Sequence, residues 1–422
     1  MTRISKIEVQ NFRGIENSTF LFDDGINLVI GDNGAGKSSL LGAIKGSLCD
    51  WVYLVSGIYN KQVKKEDVRI RVDKVGDATY TAKRFFPIEL RCEAVFHGEE
   101  ITILHHVKDE QDLDNNVVGS ISSEHIQELI KNPDISQPLL CFQSFDRDCG
   151  IAPDLNKKTI AIEVGIPTLR DGYVGCLDGK GHENQIQQWC LKMALMEFEK
   201  KTEVKEFRTF QSIISRFVNA IEDGDRKLTV YYSSEYSGLV LDDTRTEIPL
   251  YNMSTGYRAI MALIMELAYR TVLINPTIAP DLQALEGVVL IDEIDAHLHP
   301  KWQWRVLGAL RKVFPKVQFI IATHSPIVIA SAQNAKLIML DGSGNVNYLE
   351  NAYGYSANDV LALRQGSTGV SNVYQQFMNE LEDALNESNI EKAKSVVGRA
   401  QNEFGDSSMV YQELKQYLKL NA

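Results

Sequence analysis

Four short segments of this chain carry residue types that could do chemistry together. The first, Gly31-Asp32-Asn33-Gly34-Ala35-Gly36-Lys37-Ser38, fits the pattern G-x-x-x-x-G-K-[ST]. Glycines at 31, 34 and 36 allow backbone N–H groups to turn inward around a polyphosphate, and a helix opening near Lys37 aims its positive end at the same point. Lys37 then reaches the β- and γ-phosphates, and the Ser38 hydroxyl is placed to ligate Mg²⁺. Far downstream, the apolar run Val288-Val289-Leu290-Ile291 closes on Asp292-Glu293. Asp292 can hold the metal, and Glu293 can polarise an attacking water. A third segment, Phe319-Ile320-Ile321-Ala322, ends in Thr323-His324-Ser325-Pro326, so His324 stands at a strand terminus where it can meet the γ-phosphate or its water. In the fourth, Asn252-Met253-Ser254-Thr255-Gly256-Tyr257-Arg258, Ser254 caps an amphipathic helix and a Ser-x-Gly turn offers a second set of N–H donors. Alone, the last three read as an acidic strand end, a packed histidine and an ordinary cap. Together with the phosphate loop they read as one site. Because Gly31 to Ser38 is already a complete cradle, the spare donor set implies a second subunit.

Elements must bring these segments together. A strand over 25–30 delivers the glycine loop, and Leu40, Leu41, Ile44 and Leu48 mark the helix that follows, to about Leu54. Buried strands are predicted at 287–291 and 317–322, and a helix after Ser254. Ile4, Ile7 and Val9 lead to an Asn11-Phe12-Arg13-Gly14 turn, while Arg69–Val72 and Glu93–Phe96 alternate as antiparallel strands do, with a hairpin at Gly98-Glu99. The acidic stretch from Lys108 to Asn116 reads as a solvated loop. Apolar residues at helical spacing over 183–222 predict a helical insertion too short for a long coiled coil, and 370–420 reads as two or three small helices.

With 422 residues, 44% hydrophobic and 24% charged, the chain has the balance of a folded globular protein. Its net charge of −12 repels nucleic acid in bulk, so such contacts need a local basic patch, for which Lys61, Lys64, Lys65, Arg69, Arg71 and Lys74 are candidates and a solvated face the commoner reading. The six cysteines form no C-x-x-C pair and no zinc spacing, so reduced, packed thiols are expected. No apolar run approaches membrane-span length and the N-terminus alternates, so a cytoplasmic protein without a membrane association is expected.

In this order, Gly31 to Ser38, Ser254-x-Gly256, Asp292-Glu293 and His324 resemble the ATP-binding cassette class, and within it the SMC and RecF branch. Asn11-Phe12-Arg13-Gly14 is similar to that branch's first-strand motif, and Asp292-Glu293-Ile294-Asp295-Ala296-His297-Leu298-His299-Pro300 looks like its catalytic carboxylate and D-loop segment. Asn351-Ala352-Tyr353-Gly354-Tyr355-Ser356, with small helices after it, resembles the ATPase subunit of Septu antiphage systems, including retron-associated forms. No coiled coil or Cys-x-x-Cys hook lies between Gly36 and Ser254, and no clustered acidic metal set follows His324, which separates the chain from chromosome-organising, break-repair and Toprim-fused members.

The resemblance implies an α/β fold: a P-loop NTPase head of ABC/SMC type with an antiparallel β lobe, a helical insertion and a small C-terminal helical region. The head's N-terminal part would span 1–180, the insertion and return strands 181–250, the head's C-terminal part 251–350, and a docking region 351–422. It implies an ATPase using ATP and Mg²⁺. Nucleotide would be held by Arg13, Asn33, Gly34, Ala35, Gly36, Lys37, Ser38, Ser39, Ser254, Gly256 and Asp295, and the metal by Ser38, Asp292 and Gln143, the last in the Q-loop position of Pro138–Gln143. Glu293 and His324 would be catalytic. Implied partners are a second copy, head to tail, or a higher homo-oligomer, and a separate HNH-type nuclease, with nucleic acid reached through that partner or a basic patch. The competing expectation is a DNA-repair ATPase that binds DNA ends itself.

Overall fold

The uninterrupted apolar runs become the strands of one buried sheet. A computed structural model describes residues 2–58, 63–75, 80–96, 98–114, 120–121, 135–144, 169–222, 224, 227–276, 282–349, 352–364, 372–387, 389–405 and 408–421. The sheet has six strands in the order β16 (Val346–Leu349), β15 (Lys336–Leu340), β3 (Ile26–Ile30), β14 (Val317–Ala322), β13 (Gly287–Ile291) and β9 (Leu139–Gln143). Every pairing is parallel except the edge pair of β15 with β16. Strands covered on both faces have no solvent side to alternate with, which is why β3, β13 and β14 are buried at every position.

Register decides where the chemistry sits. Ile291 pairs with both Ile321 and Gln143, and Ala322 with Val29, so β9, β13, β14 and β3 end at one level. Residues just past those ends share the sheet's C-terminal crevice, where open α/β sheets bind ligands.

A second, antiparallel sheet runs in the order β2 (Ile15–Leu21), β1 (Arg3–Phe12), β6 (Ile88–Phe96), β7 (Glu99–Val107) and β8 (Ser120–Ile121). Its strand β6 buries alternate residues, the signature of one core-facing side. Between the two sheets lies the helix Lys37–Ser56, which buries Leu40, Ile44, Leu48 and Val52 at four-residue spacing and stops at left-handed Gly57, whose N–H bonds the Tyr53 carbonyl at 2.8 Å. A separate hairpin of β4 (Ile70–Lys74) and β5 (Tyr80–Arg84) is exposed on both strands.

The predicted insertion is two helices, Glu183–Lys200 and Lys205–Glu222, and three return strands, β10 (Thr229–Ser233), β11 (Gly238–Asp242) and β12 (Glu247–Pro249). Helix Lys205–Glu222 buries Phe207, Phe210, Ile214, Phe217, Val218 and Ile221, packing on the helices Thr255–Ile274 and Val306–Val313. All of this lies within one compact unit, Met1–Ser356. A second unit, Ala357–Ala422, consists of helices at Ala357–Arg364, Asn372–Asn386, Ile390–Phe404 and Met409–Asn421, with a core of its own around Leu381, Ala384, Ala393, Ala400 and Leu414.

One expectation is corrected. The acidic stretch from Lys108 contains a short helix, Glu110–Asp114, where a loop was expected. Asp109 caps it by accepting the Gln111 N–H at 2.8 Å, and Leu113 is buried, so local capping and one apolar anchor outweigh the charge run. Lys61, Cys149 and Asn351 lie outside the described residues.

Candidate functional site

The phosphate loop is shaped by its glycines. Gly31, Gly34 and Gly36 have φ of 144°, 81° and 103°, and a Cβ on Gly31 would meet the Leu340 carbonyl oxygen at 2.3 Å. At Gly36 the left-handed conformation starts the helix, so the loop leads directly into a helix N-terminus, an arrangement suited to an anion. Asn33, Gly34 and Ser38 are exposed there, and Ala35 and Ser39 half-buried. Lys37 is buried. Its Nζ donates to the carbonyls of Gly31 at 2.8 Å and Asp32 at 2.9 Å and lies 3.4 Å from Nδ1 of His324. Burial pulls the ammonium below its ordinary pKa, opposed by the carboxylates of Asp292, Glu293, Asp32 and Asp295.

The carboxylate pair follows β13. Asp292 is buried, and its N–H donates to the Gln143 carbonyl at 2.8 Å, so the chain brings Gln143 and Asp292 side by side. Glu293 is half-buried at φ 47°, a left-handed position rare outside glycine. Such strain persists where surrounding structure over-determines it, commonly at working sites. Ser38, Asp292 and Gln143 are oxygen donors, suited to a hard cation such as Mg²⁺. Among the described residues no group of three His, Cys, Asp or Glu could hold a metal.

The segment after Glu293 is tied to the third strand. The Thr323 hydroxyl donates to Asp295, and the Ser325 N–H donates to Thr323 Oγ1 at 3.0 Å. Ser325 caps the helix Pro326–Ser331 and donates to Gln303 at 2.6 Å, and Gln303 donates to the Leu298 carbonyl at 2.9 Å. Thus hydrogen bonds tie the segment around His324 to the 295–299 loop.

Ser254 caps its helix through the Tyr257 N–H at 3.4 Å and is exposed. Gly256 is buried against the 295–299 loop: a Cβ there would meet the His297 carbonyl oxygen at 2.4 Å. The fourth segment therefore abuts the loop that follows Glu293. Arg13, at φ 49°, is clamped by Asp67 at 2.7 Å and donates to the Ser38 carbonyl at 3.4 Å, which brings it to the phosphate helix.

Four contributors escaped sequence reading. Asp67 positions Arg13, Thr323 grips Asp295, and Glu266 and Arg270 lie in the helix that Ser254 caps. Arg270 donates to Glu266 at 2.8 Å and to the carbonyls of Gly172 at 2.7 Å and Val174 at 3.0 Å, and His182 lies 3.0 Å from Glu266. The neighbouring Cys176 carbonyl accepts from Phe142 N–H at 2.8 Å, so this network reaches the strand that ends in Gln143. A glutamate and an arginine four apart inside an otherwise apolar helix were the available signal. The candidate basic patch is largely neutralised: Arg71 pairs with Asp73 at 3.0 Å, Arg69 with Glu16, Lys64 with Glu66 at 3.7 Å and Lys65 with Glu110 at 3.9 Å.

No helix among the described residues is long and apolar enough to cross a membrane. The model of the RecF/RecN/SMC N terminal domain matches residues 3–345. A protein of Vibrio cholerae serotype O1 biovar El Tor named Retron Vc95 probable ATPase is 24% identical over 86% of this chain and 79% of its own. Septu protein PtuA of Bacillus thuringiensis is 31% identical over 38% of this chain and 43% of its own. An SMC head domain from Thermotoga maritima is similar across 82% of this chain and 99% of its own, at 17% identity and a TM-score of 0.43.

Proposed function

The chain belongs to the RecF/RecN/SMC N terminal domain family, and we propose that it is an ATP-hydrolysing switch subunit of antiphage defence that closes head to tail around ATP and Mg²⁺. The observation that supports this reading is that the chain carries two helix-opening segments able to donate N–H groups to phosphate. One, Gly31 to Ser38, shares a crevice with Asp292, Glu293 and His324, while the exposed Ser254 belongs to a turn packed on His297. A second copy presenting Ser254 and Gly256 to the first copy's loop would complete each pocket.

In this mechanism Lys37 exchanges its carbonyl partners for β- and γ-phosphate oxygens. Ser38, Asp292 and Gln143 would hold Mg²⁺, which when bound neutralises phosphate charge. Glu293 accepts a proton from the attacking water, and His324, beside Lys37, responds to the γ-phosphate. Because Thr323 ties that strand end to Asp295, loss of the γ-phosphate is passed to the loop that supports Gly256. Binding closes the pair by mass action, and cleavage removes the contact that keeps it closed.

The retron and Septu names of its relatives support the defence role. The partner we propose is an HNH-type nuclease docking on the helices of Ala357–Ala422 in the cytoplasm. Lys37→Ala and Gly256→Asp copies, each inactive alone, should regain about one competent centre per mixed pair. Mixtures that stay inactive, beside a dilute monomer that hydrolyses ATP at full rate, would sink the proposal.

A further inference from the structure

At the far end of the central sheet lies a cleft of about 530 Å³. Ile26, which lines it, begins β3, whose other end feeds the phosphate loop, so the two places are separated by the strand's length, roughly 13 Å at ~3.3 Å per residue. Its walls include Trp304, Arg305, Gly308, Arg311, Lys312 and Tyr353. Three cations and no Asp or Glu line it among the described residues, in a chain with 56 acidic against 44 basic side chains.

Arg311 is anchored on neutral groups, the carbonyls of Gln333 at 3.0 Å and Asn334 at 3.3 Å, which fix the guanidinium without offsetting its charge. Arg311 and Lys312 also close the last turn of helix Val306–Val313, where cations suit the helix dipole. The dipole accounts for those two cations but not for the exposure of the Trp304 indole. Trp304 is 44% exposed and Tyr353 54%, whereas Trp51, Trp189 and Trp302 are buried. Gly308, also in the lining, leaves open space: an added Cβ would meet nothing within 4 Å. An acidic peptide would satisfy the cations but gives no role to two exposed π faces. A base with its phosphate uses both.

We propose that this cleft binds a nucleotide unit, base stacked on Trp304 or Tyr353 and phosphate on Arg311 and Lys312, taken free or as part of a single strand. The test is made in a Lys37→Ala chain, so it stands or falls separately from hydrolysis at the phosphate loop. Trp304, as the exposed indole, reports through its fluorescence, and labelled 12-mers of thymidylate and uridylate report through anisotropy. Quenching by TMP or UMP alone assigns free nucleotide, whereas binding restricted to the 12-mers assigns a strand. Trp304→Ala should weaken the anisotropy-detected affinity roughly 5- to 150-fold, the range for one stacked base. Lys312→Glu, a change at an exposed position, should weaken binding and flatten its salt dependence. Gly308→Leu should fill the cleft while favouring the helix. The proposal is overturned if neither nucleotide nor 12-mer binds at millimolar concentration, if the three variants bind as the parent does, or if a glutamate-rich peptide takes the cleft and nucleotides do not.

Discussion

Two buried cations among the described residues, Lys37 and Arg270, are held in opposite ways. Lys37 rests on the carbonyls of Gly31 and Asp32, and burial lowers its pKa against the opposing pull of nearby carboxylates. Arg270 is engaged by Glu266 four residues earlier, by His182 beside it and by two carbonyls. Burial alone would lower the Arg270 pKa, yet the Glu266 charge holds it above its ordinary value. Glu266 shows the mirror image: burial opposes its charge, and His182 with Arg270 still keeps its pKa low. The ammonium proposed to change partners in a cycle is held on neutral acceptors. A guanidinium that fixes one helix against a loop is matched charge for charge. The central cation is buried in both places, so the nature of its direct partners is what separates the candidate site from the structural rivet.

The sharpest way to break this contrast is Glu293→Gln. Turnover should fall roughly 10²–10⁴-fold, the scale of losing a general base, while ATP affinity by calorimetry and the melting temperature stay near the parent's. Ordinary turnover in that variant would remove Glu293 from the chemistry. At the rivet the effects should exchange places. Arg270→Met leaves Glu266 buried without its cation and should cost about 3–5 kcal/mol of stability in urea unfolding. The Arg270→Met, Glu266→Met double variant should recover much of that loss, since a paired replacement leaves no orphan charge. If the double variant is as unstable as the single one, the network is not an isolated pair and the contrast loses its second half.

Much of the candidate cluster was legible because its groups lie at fixed distances along the chain. A glycine loop between a strand and a helix, and acids or a histidine closing a buried strand, can be read locally, as Gly31–Ser38, Asp292 and His324 show. What could not be read is whatever register and topology supply. Arg13 meets Asp67 across 54 residues, Thr323 meets Asp295 across 28, and His182 meets Glu266 across 84. No periodicity encodes those meetings. The strain at Glu293 was also invisible, since residue type alone does not mark a left-handed backbone. The short helix at Glu110–Asp114 hid behind its own charge, because composition is averaged over a window whereas Asp109 caps at one position.

The smallest expected effect separates the clusters by pH. The hydrogen bond to Glu266 raises the His182 pKa against the opposing pull of burial. A group whose folded pKa lies above its unfolded value of about 6.5 adds stability while protonated, in full below that value, and loses it as pH rises through the folded pKa. Glu266 acts with the opposite sign: its folded pKa is depressed, so its contribution is present above its ordinary value and is lost as pH falls through the folded one. The melting-temperature gap between the parent and His182→Gln should therefore be widest below about pH 6.5, while Glu266 is still ionised, and shrink on the alkaline side. A gap that stays constant, or widens toward alkaline pH, would mean that the protonated imidazole adds nothing to the rivet and that Glu266 and Arg270 hold it alone.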